Sequence, residues 1–258
     1  MKVSIVIPAR NEERRIGRTL SEYSEYLEKA KKDGIDYEIL VMVNNTTDNT
    51  REIIKEVMRK NKRIGYIDLP GRGKRYAILE GFKESLNRKN EFIGFVDADM
   101  ATPPESFYEL IKGIGEHDAS IASRAHPKSV VNTSWKRKIF SKGFNFGVRS
   151  TLQMPYKDTQ CGAKLFRREA VENILRNPPY SQWAFDVEIL YNLRKAGFRI
   201  KEIPTIWNDQ ADSTLSLKKV PIQMFFSVIR LNLLRSPLKH LVRLYDKMPE
   251  RVKIHHAG

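Results

Sequence analysis

The first 96 residues constrain the fold most, because short apolar runs rich in β-branched residues alternate there with segments of helical periodicity. The predicted strands span residues 3–7, 37–43, 64–69 and 92–96, and the predicted helices span 12–32, 48–60 and 73–86. Strands that alternate with helices at this spacing form parallel sheets with helices on both faces. The sequence therefore predicts an α/β fold with a mostly parallel central sheet flanked by helices.

The second half is less regular. Its predicted helices span residues 103–114, 135–152 and 183–195, and its predicted strands span 119–122, 162–166 and 198–203. We divide the chain into a main α/β domain, residues 1–217, and a basic amphipathic helical tail, residues 218–258. The tail carries nine Lys and Arg residues against two acidic ones, a net charge of +7. Such a segment either lies on a membrane surface or packs on the main domain with its charges solvated.

The charge balance points to an anionic partner. There are 46 Lys and Arg residues against 31 Asp and Glu residues, a net charge of +15. Nucleic acid, an anionic membrane and phosphorylated substrates all fit this charge, but no recognised DNA- or RNA-binding motif is present, so we expect no nucleic-acid partner. A single cysteine, Cys161, excludes a disulfide scaffold and a zinc site built from several cysteines. No apolar run approaches the ~20 residues of a spanning helix, so we expect a soluble or peripheral protein without a signal peptide.

Polar clusters follow three of the predicted strands, at residues 8–12, 44–48 and 97–99. Ligands of open α/β sheets bind at the carboxyl ends of strands, so these clusters are expected to converge. Asp97-Ala98-Asp99 is the most informative, because Mg²⁺ typically takes one or two carboxylates together with phosphate oxygens. The alternative is a solvated acidic turn that caps the next helix.

The segment Gly71-Arg72-Gly73-Lys74-Arg75 is rich in glycine and positive charge and opens a helix. Backbone N–H groups and cations at such a position suit a phosphate, although the alternative is a surface turn. The segment does not match a P-loop, because its spacing and the Ser or Thr after the lysine are missing. No G-x-G-x-x-G follows the first strand, which counts against a dinucleotide oxidoreductase.

Residues 3–213 together resemble a family 2 glycosyltransferase of the GT-A fold. The segments at 4–12 and 41–50 are similar to the family's nucleotide-binding segments, and Asp97-Ala98-Asp99 to its metal motif. The longer segments at 97–102, 158–166 and 183–188 resemble the dolichyl-phosphate glucosyltransferase and mannosyltransferase branch, with the glucosyl members nearest. One departure is Asn44, where many relatives carry an aspartate expected to accept a hydrogen bond from the base. An Asn oxygen still accepts such a bond.

The resemblance implies an inverting, metal-dependent hexosyltransferase that uses Mg²⁺ or Mn²⁺. The donor is UDP-glucose or GDP-mannose, with glucose favoured, and the acceptor is a polyprenyl (dolichyl) phosphate. We therefore expect a cytoplasmic protein that is peripheral on the cytoplasmic face of the membrane. The alternatives are transfer to a soluble or glycan hydroxyl, a nucleotidyltransferase and a non-enzymatic nucleic-acid binder.

The resemblance also implies site residues, each with a structural alternative. Asp158 is expected to orient the sugar or acceptor, and its alternative is to cap a turn. Asp186 is expected to contact the sugar or a phosphate-binding arginine, and its alternative is a buried ion pair. Trp183 is expected to stack on a sugar, and its alternative is to pack in the core. The expected catalytic residues are Asp99, Asp158 and Asp186, and the expected metal ligands are Asp97 and Asp99. The nucleotide-sugar is assigned to Pro8, Ala9, Arg10, Asn11, Glu12, Asn44, Gly73, Lys74, Asp97, Ala98 and Asp99. The acceptor and its phosphate are assigned to Arg124, Arg137, Lys138, Trp183 and Ser213.

Overall fold

A computed structural model describes residues 1–71, 73–182, 184–209 and 232–233. The strands in these residues are β1 (Lys2–Ala9), β2 (Asp36–Asn44), β3 (Ile64–Leu69), β4 (Phe92–Phe95), β5 (Ala119–Ser123), β6 (Val130–Asn132), β7 (Lys164–Arg167), β8 (Ile200–Pro204) and β9 (Ile206–Asn208). The helices are α1 (Ile16–Ala30), α2 (Thr50–Lys60), α3 (Lys74–Asn87), α4 (Pro104–Gly113), α5 (Trp135–Leu152), α6 (Arg168–Arg176) and α7 (Phe185–Lys195). A short 3₁₀ turn, Lys31–Asp33, follows α1.

Seven strands form the main sheet in the order β3-β2-β1-β4-β7-β5-β8. All neighbouring strands run parallel except β7, which pairs antiparallel with both β4 and β5. β6 and β9 form a separate parallel pair. The predicted α/β fold with a mostly parallel central sheet is therefore confirmed.

Helices cover both faces of the sheet, and alternate residues of β1 show why. Ile5 and Ile7 point into one buried cluster, which contains residues of α1, α2 and α4. Val6 points into the other cluster, with residues of α3, α6 and α7. A strand whose two faces are both apolar is stable only when both faces are covered. Each Å² of apolar surface buried on either face contributes about 25 cal/mol to stability, and this contribution holds the layers together.

β1, β2 and β4 lie side by side and parallel, so their carboxyl ends share one edge of the sheet. Ala9 is level with Val43, and Val6 with Phe95. The three polar clusters of the sequence thus leave the sheet at one edge, as expected.

The observed elements differ from the predicted ones at one helix start and in three elements that were not predicted. Helix α1 begins at Ile16 rather than at residue 12, because residues 10–15 form the turn that carries Glu12. Helix α6 and the strands β6 and β9 were not predicted. The division at residue 217 and the basic tail fall outside the described residues, apart from residues 232 and 233. Within the part of the chain that is described, no helix combines the length and apolar character needed to cross a bilayer.

Candidate active site

The Asp97-Ala98-Asp99 turn follows β4 at the shared sheet edge, and side chains of α1 hold it by hydrogen bonds. The Thr19 hydroxyl donates to the Ala98 carbonyl at 2.7 Å, and the Tyr23 hydroxyl donates to the Thr102 carbonyl at 2.8 Å. Asp99 Oδ1 accepts the Ala101 N–H at 3.0 Å. Because both helix side chains are buried, the turn that presents the two carboxylates is fixed on a rigid element.

Negative charge accumulates around this turn. Burial and the neighbouring Asp97 carboxylate raise the pKa of Asp99 above its ordinary value. Burial raises the pKa of Glu12 to about 7, and the Asp99 and Asp97 carboxylates add to this effect while Arg15 opposes it. Glu12 is held by Arg15, whose guanidinium lies 2.7 Å from its carboxylate. Because Asp97 and Asp99 raise the pKa of Glu12, and Asp97 raises the pKa of Asp99, positive charge is favoured at this site.

Lys74, the first residue of α3, supplies part of that positive charge. Its ammonium forms an ion pair with Asp97. Burial alone would lower the pKa of Lys74, but the carboxylates of Asp97, Asp186 and Asp99 outweigh it and raise the pKa above its usual value. Lys74 therefore stays charged at any physiological pH, and its side chain is 39% exposed, so an entering phosphate can reach it.

The donor set fits a divalent cation that shares its coordination with a phosphorylated ligand. Among the described residues, no group of three or more His, Cys, Asp or Glu side chains is arranged to hold a metal by itself. Asp97 and Asp99 are half-buried and mutually repulsive, which a cation between or beside them would relieve. At such sites the protein usually contributes one or two carboxylates, and the substrate phosphates contribute further oxygens.

The loops after β1 and β2 are bound to each other by hydrogen bonds. Asn11 Oδ1 accepts the Thr47 N–H at 2.9 Å, and the Glu12 N–H donates to the Thr50 hydroxyl at 2.8 Å. Asn11 has a φ of 54°, in the left-handed region that asparagine tolerates better than most residues. The first two polar clusters of the sequence therefore form one surface. Of the remaining predicted residues there, Pro8 and Ala9 lie within β1 and Arg10 is exposed.

Asn44 closes this surface at the end of β2. Its side-chain N–H donates to the Gly73 carbonyl at 3.0 Å, which joins β2 to the start of α3. Its oxygen, Oδ1, is buried and has no donor among the described residues. A buried acceptor without a donor is costly unless a ligand supplies one. Gly73 has a φ of 103°, a backbone conformation that favours glycine.

Asp158 is fully engaged by Arg124, the residue that follows β5. The guanidinium binds both carboxylate oxygens, Nε to Oδ2 at 2.7 Å and Nη2 to Oδ1 at 3.0 Å, and the Arg124 N–H adds a third bond at 2.9 Å. Burial alone would raise the pKa of Asp158, but Arg124 and the backbone donors hold it below its ordinary value. The guanidinium also lies over the Trp207 ring, 5.2 Å from its centroid. The geometry gives Asp158 the immediate task of orienting Arg124.

Asp186, in the first turn of α7, is paired with Lys164 at the start of β7. The Lys164 ammonium is fully buried, lies 2.6 Å from Asp186 Oδ1 and donates to the Cys161 carbonyl, also at 2.6 Å. It sits over the Phe95 ring at 5.4 Å, and the Lys74 ammonium sits 5.8 Å from the centroid of the same ring. The buried ion pair considered for Asp186 is present, and Lys164, its partner, was not predicted as a site residue.

Two further residues expected at the acceptor, Arg137 and Lys138, lie in the first turn of α5. Arg137 forms an ion pair with Asp209, while Lys138 is exposed on α5. Trp183 and Ser213 lie outside the described residues.

Gly162 is a site residue that sequence reasoning missed. A Cβ built on it would lie 1.9 Å from Asp97 Oδ2, so the backbone of the 158–164 segment approaches the Asp97 carboxylate too closely for any residue with a side chain. Thr19 and Tyr23, which hold the Asp97–Asp99 turn, were also missed, because the helical spacing of Tyr23 indicated only a buried face and Thr19 is not part of that apolar pattern. The segment at 158–166, singled out by resemblance, was the available signal for Gly162.

The family model for glycosyl transferase family 2 matches residues 4–175. The chain belongs to this family. Glycosyltransferase AglD of Haloferax volcanii is 31% identical over 89% of this chain, which spans only 37% of the relative. Dolichyl-phosphate beta-glucosyltransferase ALG5C of Trichomonas vaginalis is 32% identical over 88% of this chain and 70% of the relative. The crystal structure of glucosyl-3-phosphoglycerate synthase from Mycobacterium tuberculosis with Mn²⁺, UDP-glucose and phosphoglyceric acid is similar in fold, with a TM-score of 0.65 at 15% identity over 90% of this chain and 79% of that one. These findings confirm the predicted family and the GT-A fold.

Proposed function

We propose that this family 2 enzyme transfers glucose from UDP-glucose to dolichyl phosphate or a related polyprenyl phosphate, with inversion at the anomeric carbon. The observation that carries the proposal is the convergence of Asp97, Asp99 and Lys74 at one sheet edge. The choice of sugar and acceptor is supported by curated relatives named dolichyl-phosphate beta-glucosyltransferase. The β configuration in that name, reached from an α-linked donor, corresponds to inversion.

The donor half of the site supports this assignment. The buried Asn44 Oδ1 has no hydrogen-bond donor among the described residues, and the N3–H of a bound uracil would supply one. Lys74 lies where a diphosphate would meet both its ammonium and the first N–H groups of α3. When bound by Asp97 and Asp99, Mg²⁺ or Mn²⁺ would supply further positive charge to the leaving diphosphate. The guanine N1–H is a donor of the same kind, so the choice between UDP-glucose and GDP-mannose rests on the relatives.

The acceptor half favours a phosphate over a hydroxyl group. A hydroxyl acceptor needs a carboxylate positioned as general base. Asp158 and Asp186, which the sequence assigned to catalysis, are each engaged by a buried or half-buried cation, Arg124 and Lys164. A phosphate monoester has a second pKa of about 6, so it is largely a dianion at pH 7 and needs no base.

In the proposed step, an acceptor phosphate oxygen attacks C1 of glucose while the bond from C1 to the donor's β-phosphate oxygen breaks. UDP leaves with the bonding electrons, and no proton is transferred. The side chains then act by position and charge: Lys74 meets the diphosphate, and Arg124, oriented by Asp158, is the candidate for the acceptor phosphate. Because a polyprenyl chain requires a lipid phase, we place the reaction at the cytoplasmic membrane surface, with the protein peripheral and its basic tail as one candidate contact.

The test is a transfer assay with labelled UDP-glucose or GDP-mannose, dolichyl phosphate in detergent, and Mg²⁺ or Mn²⁺, followed by extraction into organic solvent. We expect label in the lipid phase from UDP-glucose, loss of transfer in EDTA, and a β-linked product by the anomeric proton coupling in NMR spectra. Label from GDP-mannose alone would contradict the choice of sugar. Label on water-soluble sugars, but not on lipid, would favour the hydroxyl-acceptor alternative.

A further inference from the structure

Exposed apolar side chains are concentrated on and just before α5. Of the eight large apolar residues exposed in the described part of the chain, five lie between residues 130 and 146: Val130, Trp135, Ile139, Phe140 and Phe146. Ile139 is 63% exposed and Phe146 is 71% exposed. Single exposed apolar residues are ordinary, but a cluster of this kind marks an interaction surface.

The exposed side chains of α5 form two adjacent stripes. At 100° per residue, Ile139 and Phe146 fall within about 20° of each other on the helix. Lys142 and Arg149, also exposed, lie along one flank of that apolar stripe. The 18 residues of α5 include no Asp or Glu. An apolar stripe bordered by positive charge only is typical of helices that lie in the headgroup region of an anionic bilayer.

The other side of α5 is tied to the candidate active site. Asn145 is buried, and its Oδ1 accepts the Thr159 N–H at 3.1 Å and the Thr159 hydroxyl at 3.2 Å. Thr159 follows Asp158, which holds Arg124. The same 158–164 segment brings Gly162 against Asp97. One helix thus presents apolar and basic groups to the outside while its inner face supports the acceptor side of the site.

We propose that the outward face of α5, defined by Ile139, Lys142, Phe146 and Arg149, docks on an anionic lipid surface and thereby sets the acceptor side of the active site against the bilayer. The second half of this inference rests on the proposed function. Charge argues for this occupant over the others. A second copy of the chain would bring two basic flanks together, and the chain's own tail carries a net charge of +7.

Vesicle binding of the full chain tests the docking. We would compare phosphatidylcholine vesicles with vesicles that also contain phosphatidylglycerol, by co-sedimentation, for the wild type and two variants. Ile139→Ser/Phe146→Ser should bind the anionic vesicles about tenfold more weakly or worse. Lys142→Gln/Arg149→Gln should lose about fivefold in affinity for the anionic vesicles per charge removed, and its vesicle binding should depend less on salt. The matched control, Arg59→Gln/Lys60→Gln on exposed α2 positions, should bind nearly as the wild type does.

A label on the helix reports contact even where a variant's affinity changes little. Cys161 is 1% exposed, and burial raises its pKa to about 11, so a cysteine introduced at Phe146→Cys takes an environment-sensitive dye selectively. Its emission should shift to the blue with anionic vesicles, while the same dye at Lys60→Cys should not respond. Circular dichroism checks that each variant is folded.

Three results would overturn the proposal: equal vesicle binding of wild type and Ile139→Ser/Phe146→Ser, a silent dye at position 146, or a dimer in sedimentation velocity that this double substitution dissociates. Calorimetric binding of UDP-glucose should be the same in the wild type and the double variant, which separates docking from donor recognition. If vesicle binding depends on α5 but no glucosyl transfer occurs, the docking stands and the proposed function fails.

Discussion

The backbone of Gly162 lies against the carboxylate of Asp97, so closely that a Cβ on Gly162 would stand 1.9 Å from Oδ2 and 2.6 Å from Cγ. Asp97 also carries the ion pair with Lys74. A side chain at position 162 must therefore displace the carboxylate, move the 158–164 segment, or both. Since that segment also holds Asp158, the Asp97 carboxylate and the Asp158–Arg124 ion pair are coupled through this contact.

Gly162→Ala should reduce glucosyl transfer on the order of 100-fold, because displacements of about 1 Å in a catalytic group have effects of that size. Transfer kinetics, with thermal unfolding followed by circular dichroism, measure the effect. The control is Gly65→Ala in β3, where a new Cβ meets nothing closer than 4.0 Å. Near wild-type activity in Gly162→Ala would mean that the position of Asp97 is not critical.

Asp99→Asn should remove the metal-dependent part of catalysis and lower transfer about 10²- to 10³-fold, as the loss of a charge-stabilising group does in other active sites. Mn²⁺ binding, followed by electron paramagnetic resonance, should weaken in parallel. Glu105→Gln, an exposed carboxylate at the start of α4, is the matched control. Full activity of Asp99→Asn, or wild-type activity that survives EDTA, would exclude the metal role of this turn.

Much of this site follows from sequence alone, because strand ends in a parallel sheet share an edge. That rule brings Glu12, Asn44 and Asp97 together without any knowledge of contacts. The partners of Asp97 are different: Gly162 lies 65 residues away along the chain, and only the packing of β7 beside β4 brings it close. The hydrogen bonds that Thr19 and Tyr23 make under the turn are likewise long-range and leave no local pattern.

The fold shows the same division between local and long-range information. Strands β1 to β4 and helix α5 match their predicted positions closely, because apolar periodicity is a local signal. Helix α6 was missed since Arg168 follows β7 directly and no turn residue separates the two elements. β6 and β9 have three residues each, too few for a period to be recognised.

Lys164→Met should lower the free energy of unfolding by about 3–5 kcal/mol, because it leaves the Asp186 carboxylate without its buried partner. Urea unfolding followed by fluorescence measures the loss. Lys164→Met/Asp186→Leu, which removes both charges, should be less destabilised than the single variant. The control Lys83→Met breaks an exposed pair with Glu80 and should cost no more than about 0.5 kcal/mol. If the loss in the double variant equals the sum of the losses in Lys164→Met and in Asp186→Leu alone, the pair has no coupling energy.

Asp158→Asn should cost about 3 kcal/mol at pH 7, since it removes the buried partner of Arg124. Arg124 and the backbone donors hold the pKa of Asp158 below its ordinary value, so this carboxylate contributes stability above its unfolded pKa of about 3.9. That contribution is lost as the pH falls through the lower pKa of the folded state, when Asp158 takes up a proton.

The unfolding free energies of wild type and Asp158→Asn should therefore differ by a constant amount from pH 5 to pH 8 and converge below about pH 4. The measurement is urea unfolding at a series of pH values. Asp68→Asn, which breaks the exposed pair with Arg51, should differ from the wild type by less than about 1 kcal/mol throughout. A gap for Asp158→Asn that stays constant down to pH 3 would show that the ionised carboxylate is not what stabilises this part of the fold.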